Sequence, residues 1–163
     1  MADRRAAVTA HVGLGANLGD PVATLQRALD DLSRLPGTRL VGASRLYRSA
    51  PVDAAGPDFV NAVAELSTEL TAPALLQALQ ALERGAGRQR PYRNAPRTLD
   101  LDLLLYGDGR IDSPGLRVPH PRLAQRAFVL RPLAELAPRR VTPAQLAAVR
   151  EQDCTPLPGA SAR

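Results

Sequence analysis

From Leu99 to Leu103, leucine and aspartate alternate residue by residue, and this restricts how the rest of the chain can be arranged. Successive side chains of an extended strand point to opposite faces. Leu99, Leu101 and Leu103 therefore share one face, and Asp100 and Asp102 share the other. The leucines root the strand in a core. The aspartates, roughly 7 Å apart at the backbone, are aimed the same way from a rigid support. Like charges that close repel unless a cation lies between them. The pair reads either as two ordinary carboxylates on a solvated strand face or as a divalent-cation site, most naturally for Mg²⁺.

The neighbourhood favours the cation. Arg84, Arg88, Arg90, Arg93 and Arg97 lie just upstream, and a guanidinium forks readily onto phosphate oxygens. Carboxylates for metal beside arginines for phosphate are the equipment of a nucleotide-dependent phosphoryl transferase. The stretch 84–97 can also be read as a solvated charge run. Its two glycines and two prolines fit a hinged binding loop better. Contact with nucleic acid is a third reading, weakened because Tyr92 alone is available there for base stacking. All 21 basic residues of the chain are arginine, and the net charge is +5. Without lysine there is no P-loop lysine, Schiff base or Ser-Lys dyad.

At 163 residues and 45% hydrophobic, the chain is expected to form one domain, with a core at about 8–138 and a tail at 141–163. Cys154 is the only cysteine, which excludes an internal disulfide or a cysteine-based zinc site. No signal peptide or bilayer-spanning run is visible, so the reducing cytoplasm is the expected compartment.

Apolar periodicity and turn residues give the order β-α-β-β-α-β. Strands are expected at Val8–Leu14, Arg39–Arg48, Phe59–Leu66 and Leu99–Tyr106. Asp20-Pro21 starts a first helix, and Thr71-Ala72-Pro73 opens a second. Gly107-Asp108-Gly109 reads as a hairpin turn into a short extra strand at Ile111. The class is α+β: a ferredoxin-like antiparallel sheet with helices packed on one face, followed by a short apolar helix and a loose C-terminal tail.

Three further groups stand out. Phe59 and Asn61, two apart on one strand, could stack on and hydrogen-bond a flat heterocycle, or simply pack. His120 is pinned between Pro119 and Pro121, either as a structural residue or as a partner for a nucleotide. Gly13, Gly15 and Gly19 superficially resemble a dinucleotide fingerprint, but the spacing is wrong, and they read as a structural turn. His11 also reads as structural.

Taken together, Gly15-Ala16-Asn17-Leu18-Gly19-Asp20, Tyr47-Arg48-Ser49, Pro57-Asp58-Phe59-Val60-Asn61, Pro96-Arg97-Thr98-Leu99-Asp100-Leu101-Asp102 and Val118-Pro119-His120-Pro121-Arg122-Leu123, with Arg126 and Phe128, resemble the 6-hydroxymethyl-7,8-dihydropterin pyrophosphokinase family. The resemblance runs from about Val8 to Pro138. It implies transfer of the β,γ-pyrophosphoryl unit of ATP to the pterin hydroxymethyl oxygen, leaving AMP. It also implies that Asp100 and Asp102 hold two Mg²⁺ ions and that Arg88 and Arg97 meet the phosphates. Gln80, Glu83, His120 and Arg126 would line the nucleotide site. Asn61, with the backbone around Ser49 and Val52, would read the pterin edge, and Phe59 and Phe128 would lie beside the ring. The implied partners are ATP and 6-hydroxymethyl-7,8-dihydropterin, with no nucleic acid and no membrane, and the enzyme would be a monomer. Two features depart from the family pattern. Asn94-Ala95 stands where several members carry Trp, and Pro121 stands where an aromatic sometimes follows the histidine. The alternative of another class is a basic ferredoxin-like RNA-binding module, which needs exposed aromatics on central strands.

Overall fold

The computed structural model describes residues 5–51, 56–86 and 99–161. The chain runs β1 (Val8–Ala16), α1 (Pro21–Ser33), β2 (Thr38–Ala43), β3 (Arg45–Ser49), β4 (Phe59–Thr68), α2 (Ala72–Ala86) and β5 (Asp100–Tyr106). It continues through β6 (Ile111–Ser113), β7 (Leu116–Val118), α3 (Ala127–Leu136), α4 (Pro143–Ala148) and β8 (Cys154–Ser161). The main sheet has the order β5-β1-β4-β3-β8, with β2 also paired to β4, and its pairings are antiparallel.

The starts of the helices are local in origin. The Asp20 carboxylate accepts the Ala23 N–H at 3.1 Å, and Pro21 occupies the first turn, where its missing N–H costs nothing. Thr71 caps α2 by accepting the Ala74 N–H at 3.2 Å. In α1, Leu25, Ala28, Leu29 and Leu32 recur at helical spacing and are buried. They meet Ala72, Leu75 and Leu79 of α2 and the inward residues of β1, β4 and β5, including Leu101 and Leu103.

Helices α1 and α2 share one face of the sheet, as the sequence order predicts, whereas the later helix α3 lies on the other. Strand alternation builds a second core behind the sheet, where Tyr47, Val63, Leu104 and Leu105 pack against Val129, Leu130 and Leu133 of α3. The sheet is therefore sandwiched between α1 and α2 on one side and α3 on the other. Leu104 reaches this face together with Leu105 because the β1–β5 register slips there: Val12 pairs with Leu103 and His11 with Leu105.

Three further elements differ from the expectation. The strand expected over 39–48 breaks at Ser44, which exchanges bonds with Val63, donating its N–H to the carbonyl at 2.9 Å and accepting the Val63 N–H on Oγ at 3.0 Å. The turn at 107–109 forms, but Ile111–Ser113 pairs forward with β7 and not back onto β5. The expected loose tail contains β8, an added strand on β3 with Ser49 opposite Cys154. The stretch 84–97, expected as a hinged loop, falls mostly outside the described residues, and its first three residues, Arg84, Gly85 and Ala86, belong to α2 instead. No helix among the described residues is long and apolar enough to cross a membrane.

A polar joint ties α3 to the sheet. Tyr47 is 2% exposed and donates its hydroxyl to Glu135. Glu135 also accepts the Arg45 backbone N–H at 3.0 Å and the Arg45 Nε–H at 3.2 Å. Burial and the Glu135 contact push the Tyr47 phenol up to about 12. Burial would raise the Glu135 carboxyl, but the bonds from Tyr47 and Arg45 outweigh it and hold it below its ordinary value. A depressed carboxyl contributes stability above its unfolded-state pKa and loses it as pH falls through the folded value. Glu135→Gln should therefore melt below the parent protein at neutral pH, and the gap should close on acidification below about pH 4. Melting curves across that range check this, and a gap that widens in acid contradicts it.

Candidate active site

The α3 side of the sheet is not covered along its whole length. Beyond the end of α3, β1 presents glycine at positions 13 and 15, so the strand has a bare face there. The register sets Gly15 between Asn61 on β4 and Asp100 on β5, and Gly13 between Val63 and Asp102. A cavity of about 670 Å³ opens over this floor. A Cβ on Gly15 would stand 3.2 Å from Asn61 Nδ2, closer than ordinary packing, so the absent side chain is what lets the amide lie across the strand.

Each wall has a structural origin. Asn61 is 4% exposed, and its Oδ1 accepts the Ser49 hydroxyl at 2.6 Å, which fixes the amide's orientation. Phe59 pairs with Ser49 across β3 and β4 and shares Asn61's strand face. Phe128 comes from the first turn of α3, with the Arg126 guanidinium 5.4 Å from its ring centroid. Ser49, Phe59, Asn61, Asp100, Asp102, Arg126 and Phe128, named separately by sequence, thus line one cavity.

Asp102 also lines a second cavity of about 360 Å³, together with Leu76, Leu101, Pro114, Arg117, His120 and Pro121. His120 is held there by its backbone, which donates to the Leu104 carbonyl at 2.9 Å. Its Nδ1 accepts the Arg122 N–H at 3.2 Å, so the neutral ring carries its proton on Nε2, 4.0 Å from Asp102 Oδ1. Burial lowers the His120 pKa below the ordinary histidine value. Asp102 opposes this, and Arg126 and Arg122 reinforce it.

Glu83 and Gln80 line neither cavity. Glu83 accepts the Leu101 N–H at 2.9 Å, which covers the edge of β5 and anchors the strand that carries both aspartates. Gln80 is exposed on α2, one turn beyond Leu76. Val52, Arg88 and Arg97 lie outside the described residues.

The donor set suits Mg²⁺. Asp100 is exposed and Asp102 half-buried, both on a strand whose other face is buried leucine. Among the described residues no group of three His, Cys, Asp or Glu side chains converges. Two carboxylates holding Mg²⁺ would leave its remaining positions to water and phosphate oxygens, as that ion prefers in nucleotide sites.

The sequence reading missed the glycine floor, Arg122, Gln125 and Gln152, all of which belong to the larger cavity. Glycines alternating inside a strand pattern are a legible sign of close approach, and Gly13 and Gly15 carry it. Gln152 carries no such sign, because its place depends on how β8 pairs.

A protein-family model for 7,8-dihydro-6-hydroxymethylpterin-pyrophosphokinase (HPPK) matches residues 11–138. The chain is 50% identical over 157 residues to the 2-amino-4-hydroxy-6-hydroxymethyldihydropteridine pyrophosphokinase of Pseudomonas aeruginosa, covering 92% of this chain and 97% of that one. It is 45% identical over 137 residues to the protein of the same name from Haemophilus influenzae, covering 83% and 86%. Its fold is similar, with a TM-score of 0.72 at 14% identity, to Plasmodium falciparum HPPK-DHPS A437G with SDX-DHP. That match covers 91% of this chain but only 47% of the longer one. A match of this extent to the family model, with half-identical relatives over nearly the full length, settles the assignment: the chain belongs to the 7,8-dihydro-6-hydroxymethylpterin-pyrophosphokinase family.

Proposed function

We propose that the larger cavity takes 6-hydroxymethyl-7,8-dihydropterin, that the smaller takes the nucleotide, and that Asp102 stands at their junction. The activity follows from the family: the chain is a pyrophosphokinase of folate synthesis, with ATP as co-substrate. The observation that carries the division of the site is the row Asn61–Gly15–Asp100. Two strand spacings separate the amide from the carboxylate, about 10 Å at the backbone, a span suited to a bicyclic ring bearing one hydroxymethyl arm. RNA binding has no support in the comparisons, and Tyr47, an aromatic beside the central strand, is buried.

In this reading Ser49 orients the Asn61 amide, which pairs with the polar edge of the pterin, while Phe59 and Phe128 flank the ring. Arg126, with Arg88 and Arg97, meets phosphate oxygens. His120 Nε2–H donates into the nucleotide cavity. Two Mg²⁺ ions on Asp100 and Asp102 would neutralise triphosphate charge and polarise the reacting phosphoryl group. The hydroxymethyl oxygen attacks the β-phosphorus in line, the bond from that phosphorus to the α,β-bridging oxygen breaks, AMP leaves with that oxygen and the hydroxyl proton passes to water, with positioning and charge as the protein's main contributions. With β2 and β3 counted as one strand, the order β5-β1-β4-β2/β3 supports the ferredoxin-like βαββαβ class. A single domain acting as a monomer in the cytoplasm completes the proposal; the free, buried thiol at Cys154 fits a reducing compartment.

Release of AMP that depends on the hydroxymethyl-dihydropterin tests the activity directly. Asp102→Asn should abolish this release while leaving the apo protein at least as stable, because the charge serves the metal and its loss relieves repulsion from Asp100. Near-normal turnover in saturating Mg²⁺, or a large fall in melting temperature, would contradict the role. Asn61→Ala should weaken pterin binding by about 1–3 kcal/mol, the cost of leaving buried polar partners unpaired. ATP binding should barely change. Calorimetry with each ligand separates the two, and equal losses would make Asn61 a structural residue.

A further inference from the structure

Gln152 is remote in sequence from every motif above, yet its side chain lines the larger cavity. Its amide makes two bonds: Oε1 accepts the Ala127 N–H at 2.8 Å, and Nε2 donates to the Gln125 carbonyl at 2.8 Å. One planar amide thus grips the backbone on both sides of Arg126, much as a neighbouring strand would. Arg126 is the extended residue (φ −129°, ψ 117°) between the 3-10 turn Leu123–Gln125 and α3. It caps α3 without a side-chain bond of its own, so Gln152 supplies an acceptor for the otherwise unmatched first N–H of the helix. The Val129 and Leu130 N–H groups both donate to the Arg126 carbonyl, at 3.1 and 3.0 Å, so the conformation of Arg126 sets the start of the helix.

Gln152 is itself anchored. Its N–H donates to the Val149 carbonyl at 3.0 Å, and the next carbonyl, Asp153, accepts the Ala50 N–H at 3.3 Å. The Asp153 carboxylate meets Arg48, which also holds Asp58 at 2.7 Å, immediately before Phe59. The segment 152–153 therefore joins the Ser49–Phe59 wall to the Arg126–Phe128 wall.

We propose that Gln152 is a positioning residue for pterin recognition: by clamping the backbone around Arg126, it sets the direction of Phe128 and the separation of the two aromatic walls. The proposal rests on the assignment of the larger cavity to the pterin. The amide touches no group that lines the smaller cavity, so its loss should reach the nucleotide only through Arg126. It belongs to an exposed side chain, and the core does not depend on it.

The test compares full-length wild type with Gln152→Ala, Gln152→Glu and, as a neighbouring control, Glu151→Gln. Steady-state constants for both substrates and apo melting curves are measured. Gln152→Ala should raise the pterin KM about tenfold, the scale of one lost hydrogen-bonded clamp, with the ATP KM within about threefold and the melting point within about 4 °C. Gln152→Glu keeps the acceptor for Ala127 but loses the donor to Gln125, so it should recover part of the pterin KM. The Glu151→Gln control should match wild type. Pterin and ATP constants rising together, a melting drop that accounts for the loss, no rescue by Glu, or no change at all would each overturn the proposal. Failure of the cavity assignment shows separately, as a Gln152→Ala enzyme whose ATP KM rises while its pterin KM stays at the wild-type value.

Discussion

The pairing of β1 with strands on both sides is the constraint on which the site depends. Because β4 and β5 flank the same strand in fixed register, Asn61, Gly15 and Asp100 form one row across the sheet, and Val63, Gly13 and Asp102 form the next. A slip of one residue in either ladder would send the aspartates into the leucine core and the leucines into the cavity. The buried face forbids that slip: Leu101 and Leu103 pack with α1 and α2, and Glu83 holds the Leu101 N–H. The hydrophobic pattern therefore fixes the carboxylates in place without touching them.

The second core completes the frame from behind. Anchored through Tyr47 and Glu135, α3 stops short of the glycine rows, so its first turn becomes a wall of the cavity. The same bulge that turns both Leu104 and Leu105 toward α3 accompanies the hold on His120, whose N–H reaches the Leu104 carbonyl. Packing and site geometry thus share residues.

Much of this was legible in the sequence, for local reasons. The Leu-Asp alternation predicts both the strand and the direction of its carboxylates, and Asp20-Pro21 predicts the start of α1 from cap chemistry alone. Phe59 and Asn61 share a face simply because they are two apart on a strand. What escaped depends on tertiary placement. The sandwiching of the sheet by α3 needs the second face of β4, whose Val63 reads from sequence as one more apolar residue. The strand β8 has prolines and glycine that read as a tail, and it becomes a strand because β3 offers an open edge. Gln152 is invisible without it. Gly13 and Gly15 were readable as strand glycines but resemble a turn when their spacing is compared only with nucleotide-binding loops.

The central claim is that the pterin lies along the Asn61–Gly15–Asp100 row, with its hydroxymethyl arm at the carboxylates and its far edge at the amide. Paramagnetic relaxation tests this most directly. The enzyme is loaded with Mn²⁺ in place of Mg²⁺, a non-hydrolysable ATP analogue, and pterin labelled with ¹³C at the hydroxymethyl carbon and at ring carbon 2. The account predicts strong relaxation of the hydroxymethyl carbon and much weaker relaxation of carbon 2, because relaxation falls steeply with distance from the metal. Equal relaxation of the two carbons, or the reverse order, would contradict it.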